Sequence, residues 1–183
     1  EGFHVCYVEN ASGLRNILLA RGNTRDLSAE DRSLIEIFNN NISIAFQNIS
    51  LKDELEETQR AIIHTLGEAT EARSRETGFH VRRVGEFARI LATRVGLDAT
   101  EIDLLSLAAP LHDVGKIAIP ESVLLKPALL TREEYEIMKR HTTLGHQMLA
   151  TSQRRVLKVA AVIALEHHEH FDGSGYPRGI AGT

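Results

Sequence analysis

Tryptophan is absent from this 183-residue chain, cysteine occurs once, proline only four times, and aromatic side chains make up 5% of it. Each shortage removes a class of protein. The lone Cys6 has no partner for an internal disulfide, which excludes the disulfide-stapled secreted scaffolds and points to a reducing cytoplasm; Cys6 itself reads as a small buried apolar residue. Few prolines together with 43% hydrophobic residues exclude a disordered or fibrous chain. The longest apolar run, Val159 to Leu165, falls far short of the roughly 18–20 residues that span a bilayer, and no signal-peptide pattern opens the chain, so no membrane partner is expected. Positive charge is scarce as well. With 21 Lys and Arg against 25 Asp and Glu, the formal charge is −4, which argues against a nucleic-acid backbone as partner. An anionic substrate must then be attracted locally, by metal ions and a few basic side chains. The length suits one good core with an extra segment rather than two full domains.

What is present is mostly helical pattern. Residues 1–27 are the exception: HVCYVEN and RNILLARG read as two short strands joined at Ala11-Ser12-Gly13. An isolated hairpin is marginal in water, so this piece is expected to be the trailing edge of a larger sensory domain. Ser28 then provides an N-cap, with Glu30 and Asp31 in the first turn where the helix dipole favours negative charge. No proline interrupts residues 28–75. Apolar side chains recur there at Ile35, Phe38, Ile42, Ala45 and Ile49 and again at Leu55, Ile62 and Ala69, a near-heptad with one slip. Such a helix either lies on its own domain or pairs with a second copy as a signalling coiled coil, a seam that Asn41, Asn48 and Gln59 weaken.

Helical periodicity continues through residues 76–183. His80 to Val95 carries Val81, Val84, Phe87, Ala88, Leu91 and Val95 on one stripe, closed by Gly96. Thr100 with Asp103 is expected to open a helix through Ile102, Leu105, Ala109 and His112 that ends at Gly115. Thr131 with Glu134 forms a capping box before Ile137, Met138, His141 and Leu144. A last helix runs from Val156 to about His168. Nothing in this part alternates with period two, so the expected fold is mainly α, a helical bundle preceded by a long helix and a short β-hairpin remnant.

The chemistry concentrates in two strings, HDVGK (His112 to Lys116) and HHEHFDGSGYP (His167 to Pro177), with His141 between them. Imidazoles beside a carboxylate form the ligand mixture that holds a first-row metal while leaving positions open. His112 and Asp113 are adjacent, so their side chains are expected to splay toward two neighbouring ions, with Asp113 able to bridge them. Lys116 offers a point charge for a phosphate, or is a solvated lysine. His167 and His168 are about 100° apart on a helix, so they bind different ions or present one ring to metal and one to substrate. Asp172 is expected to order the Gly173-Ser174-Gly175 turn. His4, His64, His146, Glu169 and His170 are left without a metal role.

These strings, in this order, resemble the HD-GYP family, the cyclic di-GMP phosphodiesterase branch of the HD phosphohydrolases; the resemblance covers roughly residues 75–183. It implies a metal-dependent phosphodiesterase that hydrolyses cyclic di-GMP to the linear dinucleotide or GMP, as the cytoplasmic output of a bacterial response regulator. It implies two or three divalent ions, iron or manganese, held by His80, His112, Asp113, His141, His167 and His168, with Glu76 reaching a third metal from one turn before His80. Asp113 and Lys116 carry the catalytic roles, and Gly175, Tyr176 and Pro177 shape the substrate pocket or dock diguanylate-cyclase domains. The preceding hairpin is similar to the end of a GAF-like sensor. The family draws a further bridging aspartate from beyond Thr183, and the chain opens on Glu1 rather than Met, so both ends read as cut and the fragment is expected to be less active than its parent. A catalytically silent module that binds dinucleotide or a cyclase partner, and an HD phosphohydrolase acting on another nucleotide, are the rival readings.

Overall fold

The computed structural model describes residues 3–9, 15–21, 28–74 and 79–182. The expected turn at Ala11-Ser12-Gly13 and the candidate ligand Glu76 lie outside the described residues. Strands β1 (Phe3–Glu9) and β2 (Arg15–Arg21) pair antiparallel, Phe3 opposite Arg21 and Glu9 opposite Arg15. Helix α1 then runs unbroken from Ala29 to Arg73. Its start is closed reciprocally: Ser28 Oγ accepts from the Asp31 amide at 3.1 Å, and Asp31 Oδ2 accepts from the Ser28 amide at 2.9 Å.

By packing, the chain divides into Glu1–Thr58 and Gln59–Thr183, a boundary inside α1. In the first unit α1 buries Asn39 and Ser43, half-buries Ile35 and Ile42, and leaves Phe38, Ala45, Ile49 and Leu55 exposed. In the second unit it buries Ile63, Gly67, Thr70 and Glu71, which share one face at i, i+4, i+7 and i+8, and leaves Ile62 and Ala69 outside. The heptad-like residues are thus mostly those the helix does not use within its own chain.

The second unit is a bundle of α2 (Phe79–Arg94), α3 (Ala99–Ala108), the one-turn α4 (Glu121–Leu124), α5 (Arg132–Ala150) and α6 (Arg155–Glu166). Helix α2 ends as its glycine requires. Gly96 sits at φ +83°, and the Leu97 and Gly96 amides reach back to the Ala92 and Thr93 carbonyls. The apolar stripe expected on α2 is only partly its buried face: Val81 and Ala92 are buried with Gly85, whereas Phe87, Leu91 and Val95 face outward. Helix α3 is capped two residues before Thr100, because Asp98 is the N-cap and accepts from the Glu101 amide at 2.9 Å. It also ends earlier than expected. Pro110 has no amide to donate, so the α-helix stops at Ala108 and the chain continues in 3-10 turns at Ala109–Leu111 and Val114–Ala118, which takes His112 off any α-helix. The capping box at Thr131 and Glu134 forms as expected. Ile63, Ala108, Leu111, Val156 and Ala160 make the core that α1, α3 and α6 share. Among the described residues, no helix is long and apolar enough to cross a membrane.

Candidate metal centre

The centre is built where the 3-10 turns after α3 meet α5 and the end of α6. Gly115 makes that meeting close. A Cβ there would lie 1.9 Å from the His141 carbonyl oxygen and 2.5 Å from the Gly145 amide, so only glycine lets the His112-Asp113 turn rest on the α5 backbone. This contact sets His141, buried on α5, against Asp113, buried in the turn.

Four side chains converge on Asp113. Asp113 Oδ2 lies 3.1 Å from His112 Nε2 and 2.8 Å from Lys116 Nζ, and its Oδ1 lies 3.2 Å from His141 Nε2 and 3.5 Å from His167 Nε2. Instead of splaying, as adjacency suggested, His112 and Asp113 turn their polar atoms toward each other. His112 Nδ1 faces the Ala109 carbonyl at 3.1 Å, His141 Nδ1 that of Met138 at 2.8 Å, and His167 Nδ1 those of Ile163 and Ala164 at 3.2 and 3.1 Å. A carbonyl only accepts, so each Nδ1 donates to its carbonyl, and Nε2 is the atom each ring turns inward, as a lone pair wherever the ring is uncharged. Asp113 Oδ1 is accordingly buried without a hydrogen-bond donor although two ring nitrogens stand close by.

Acceptor atoms crowded together in this way need either protons or a cation. When the imidazoles are protonated they outweigh the cost of burial and hold the Asp113 carboxyl well below the usual carboxylate range. Burial pulls the His112 pKa down, but the hydrogen bond and charge of Asp113 prevail and leave it raised. His168 completes a trio with His141 and His167 whose ligand atoms all lie within 4.8 Å of one another. Its own pKa is pushed down to about 4, first by burial and then by His167 and His141, so its lone pair stays available at neutral pH. The donor set therefore fits a divalent ion: backbone carbonyls fix the tautomers, and the carboxylate supplies the negative charge. His80 stands at the edge, its ring 5.8 Å from that of His112 and its Nε2 3.8 Å from Glu71 Oε1.

Glu71 is a residue sequence reading missed. It is 2% exposed and follows Ile63 and Gly67 on the inward face of α1, and a carboxylate on an apolar stripe is the signal that marks it. Glu169, also left without a role, accepts from the Arg178 and Ile180 amides at 2.7 and 3.0 Å and so anchors the end of the chain beneath the GYP string. Asp172 does order its turn, accepting from the Ser174 amide at 2.9 Å. His146 bonds the Ala161 carbonyl and takes no part in the centre. Gly175 has a packing reason of its own: a Cβ there would lie 2.3 Å from the His170 amide and 2.5 Å from the His168 carbonyl oxygen.

That tight loop lays the Tyr176 ring flat against His168, centroids 4.5 Å apart and planes 18° from parallel. Beside it opens a cavity of about 470 Å³, walled by Lys116, Tyr135, Met138, His141, His168 and Tyr176. Burial, together with the charges of Tyr135 and Asp113, raises the Tyr176 phenol well above its ordinary value, so it remains a neutral donor.

A helical bundle whose His-Asp turn and distal histidine pair enclose a carboxylate is a metal-binding domain of the His-Asp type. Residues 64–183 match the HD domain family, and the chain belongs to that family, with the motifs of its HD-GYP type. Residues 1–55 match a domain of unknown function (DUF3369). Among curated relatives, the chain is 44% identical over 179 residues to the 3′3′-cGAMP-specific phosphodiesterase 2 of Vibrio cholerae, covering 98% of this chain and 34% of that protein. It is 39% identical over 178 residues to the cyclic di-GMP phosphodiesterase response regulator RpfG of Xanthomonas campestris, covering 93% of this chain and 47% of that protein. It is 46% identical over 127 residues to a cyclic di-GMP phosphodiesterase of Thermotoga maritima, covering 69% of this chain and 34% of that protein. The chain thus spans between a third and a half of the length of these relatives.

Proposed function

We propose that this chain carries the hydrolytic centre of a cyclic dinucleotide phosphodiesterase that opens cyclic di-GMP to its linear form or to GMP. The observation that carries the reading is the inward convergence of the His112, His141 and His167 Nε2 atoms on Asp113, next to a cavity with a lysine and two tyrosines in its wall. The names of the relatives supply the substrate class. Iron or manganese suits a centre of imidazoles and carboxylate, and two or three such ions would be held by His80, His112, Asp113, His141, His167 and His168, with Glu76 as a further ligand. Divalent ions bound there supply Lewis acidity that polarises a phosphodiester and activates water at neutral pH.

The chain's own residues do the rest. Asp113 fixes Lys116 at 2.8 Å in the wall of the cavity, where its ammonium holds a phosphate against the histidines. Tyr176, kept protonated, donates to a phosphate or base oxygen. Gly175, Tyr176 and Pro177 shape that wall of the pocket and offer an edge to diguanylate-cyclase domains. The parent is a cytoplasmic response regulator, with residues 1–27 closing its sensory part and residues 28–75 joining it to the output domain. The outward residues of α1 pair two copies there. The test is turnover of cyclic di-GMP by manganese- or iron-loaded protein, followed by chromatography. No linear product from the wild type, or full turnover by His112→Ala with Asp113→Ala, overturns the reading.

A further inference from the structure

One group beside the cavity has no part in the metal centre. Lys139 stands on α5 one turn after Tyr135, so both side chains leave the same face of the helix. Its Nζ lies 5.4 Å from the Tyr135 ring centroid and 5.6 Å from that of Tyr176, and the two rings meet edge to face at 6.4 Å. Glu136 accepts one of its N–H bonds at 2.6 Å. Two N–H bonds are left to a side chain held over two ring faces, and Tyr135 keeps about half of its surface open.

We propose that Tyr135 and Lys139 form a guanine-selecting wall, with a base stacked on Tyr135 and its O6 and N7 accepting from the Lys139 ammonium. The proposal rests on the reading of the centre as one for cyclic dinucleotides and names which base it prefers. Stacking on a tyrosine is tolerant of base identity, because every base has a π face. The ammonium is not tolerant. It only donates, and guanine presents two acceptors at O6 and N7 where adenine replaces the first by an amino donor. Lys116, bound to Asp113 nearer the metal centre, serves the phosphate, so Lys139 is left for the base.

A consequence separates this wall from a general cation. A dinucleotide with one guanine can always place that guanine on the wall, so cyclic di-GMP and 3′3′-cGAMP should differ at this wall by no more than about twofold, the ratio of one productive orientation to two. The bis-adenine analogue should be disfavoured more strongly, by about tenfold, within the lower half of the range for a paired base-edge contact.

The experiment measures dissociation constants and kcat/KM for all three dinucleotides on manganese-loaded wild type, Lys139→Met and Tyr135→Leu. Lys139→Met should lose about tenfold on the two guanine-containing ligands and leave the bis-adenine analogue unchanged, while Tyr135→Leu should weaken all three alike. An equal loss on all three with Lys139→Met would make Lys139 a phosphate contact and overturn the proposal, as would no loss at all. Binding without turnover by the wild type would sink the hydrolytic reading and leave the binding ratios to decide this one. Failure of the wild type to bind any of the three overturns both.

Discussion

The Nε2 atoms of His141 and His167 lie 3.2 Å apart while the Nδ1 atom of each ring faces a backbone carbonyl. Two neutral rings held this way present lone pair to lone pair. The arrangement is stable only with a proton or a metal ion between them, and a proton there charges one ring beside a carboxylate that two more basic groups already share.

Metal retention follows directly. Protein purified with iron or manganese should keep at least one ion per chain through gel filtration, and His112→Ala combined with Asp113→Ala should keep none. Elemental analysis of the two preparations decides it, and equal metal content would falsify the assignment of the centre.

Protons and metal compete for the same lone pairs, and in metal-free protein His168 gives a measurable sign. Its folded pKa of about 4 lies below the ordinary 6.5, so on acidification the unfolded chain takes up this proton first. The stability of the metal-free protein should therefore lose a His168-dependent part as pH falls from about 6.5 toward 4, and His168→Gln should be free of that part. His112, with its raised pKa, works in the opposite sense, gaining stability below 6.5 and losing it as pH rises through the raised value. Urea melts of wild type and His168→Gln at pH 7, 5.5 and 4.5 isolate the difference; parallel curves would refute it.

Gly115→Ala should strike the centre through the backbone. The added methyl meets the His141 carbonyl and the Gly145 amide, neither of which is the end of a flexible side chain. A cost of about 1–3 kcal/mol, typical of overpacking, is expected in chemical denaturation, together with weaker metal binding. A variant as stable as the parent, with the same metal affinity, would show that α5 yields.

The outward residues of α1 predict association. Phe38, Ile49 and Leu55 are more than half exposed in a helix 45 residues long, and Ile42 lies at their margin. Ile42→Asp should lower the mass measured by light scattering, and a wild type that is monomeric at high concentration would return these residues to solvent.

How much of this could be read from residues alone differs by element. Helix α1, the Gly96 stop and the Thr131 capping box were legible because each rests on local chemistry: a cap, a positive φ, an unbroken period. The end of α3 was not, since the periodicity carried it through Pro110 to His112 and the missing amide outweighed the pattern. The imidazoles and carboxylate at His112, Asp113, His167 and His168 stand out in the two strings, with His141 between them, whereas their convergence depends on Gly115 meeting α5, a contact of distant segments that no local pattern encodes. Glu71, Tyr135 and Lys139 escaped for a related reason. Each looks ordinary on its own helix and gains meaning only from what a second element places beside it.

The stacking of Tyr176 on His168 has an optical consequence. With no tryptophan and only three tyrosines in the chain, two of them, Tyr135 and Tyr176, stand in the wall of one cavity. Two of the three tyrosines that can contribute intrinsic emission therefore stand in the wall beside the centre, and Tyr176 stacks on His168 itself. A transition-metal ion entering beside His168, or a purine sliding over Tyr135, should dim that emission directly, so occupancy can be followed in unlabelled protein on the timescale of mixing.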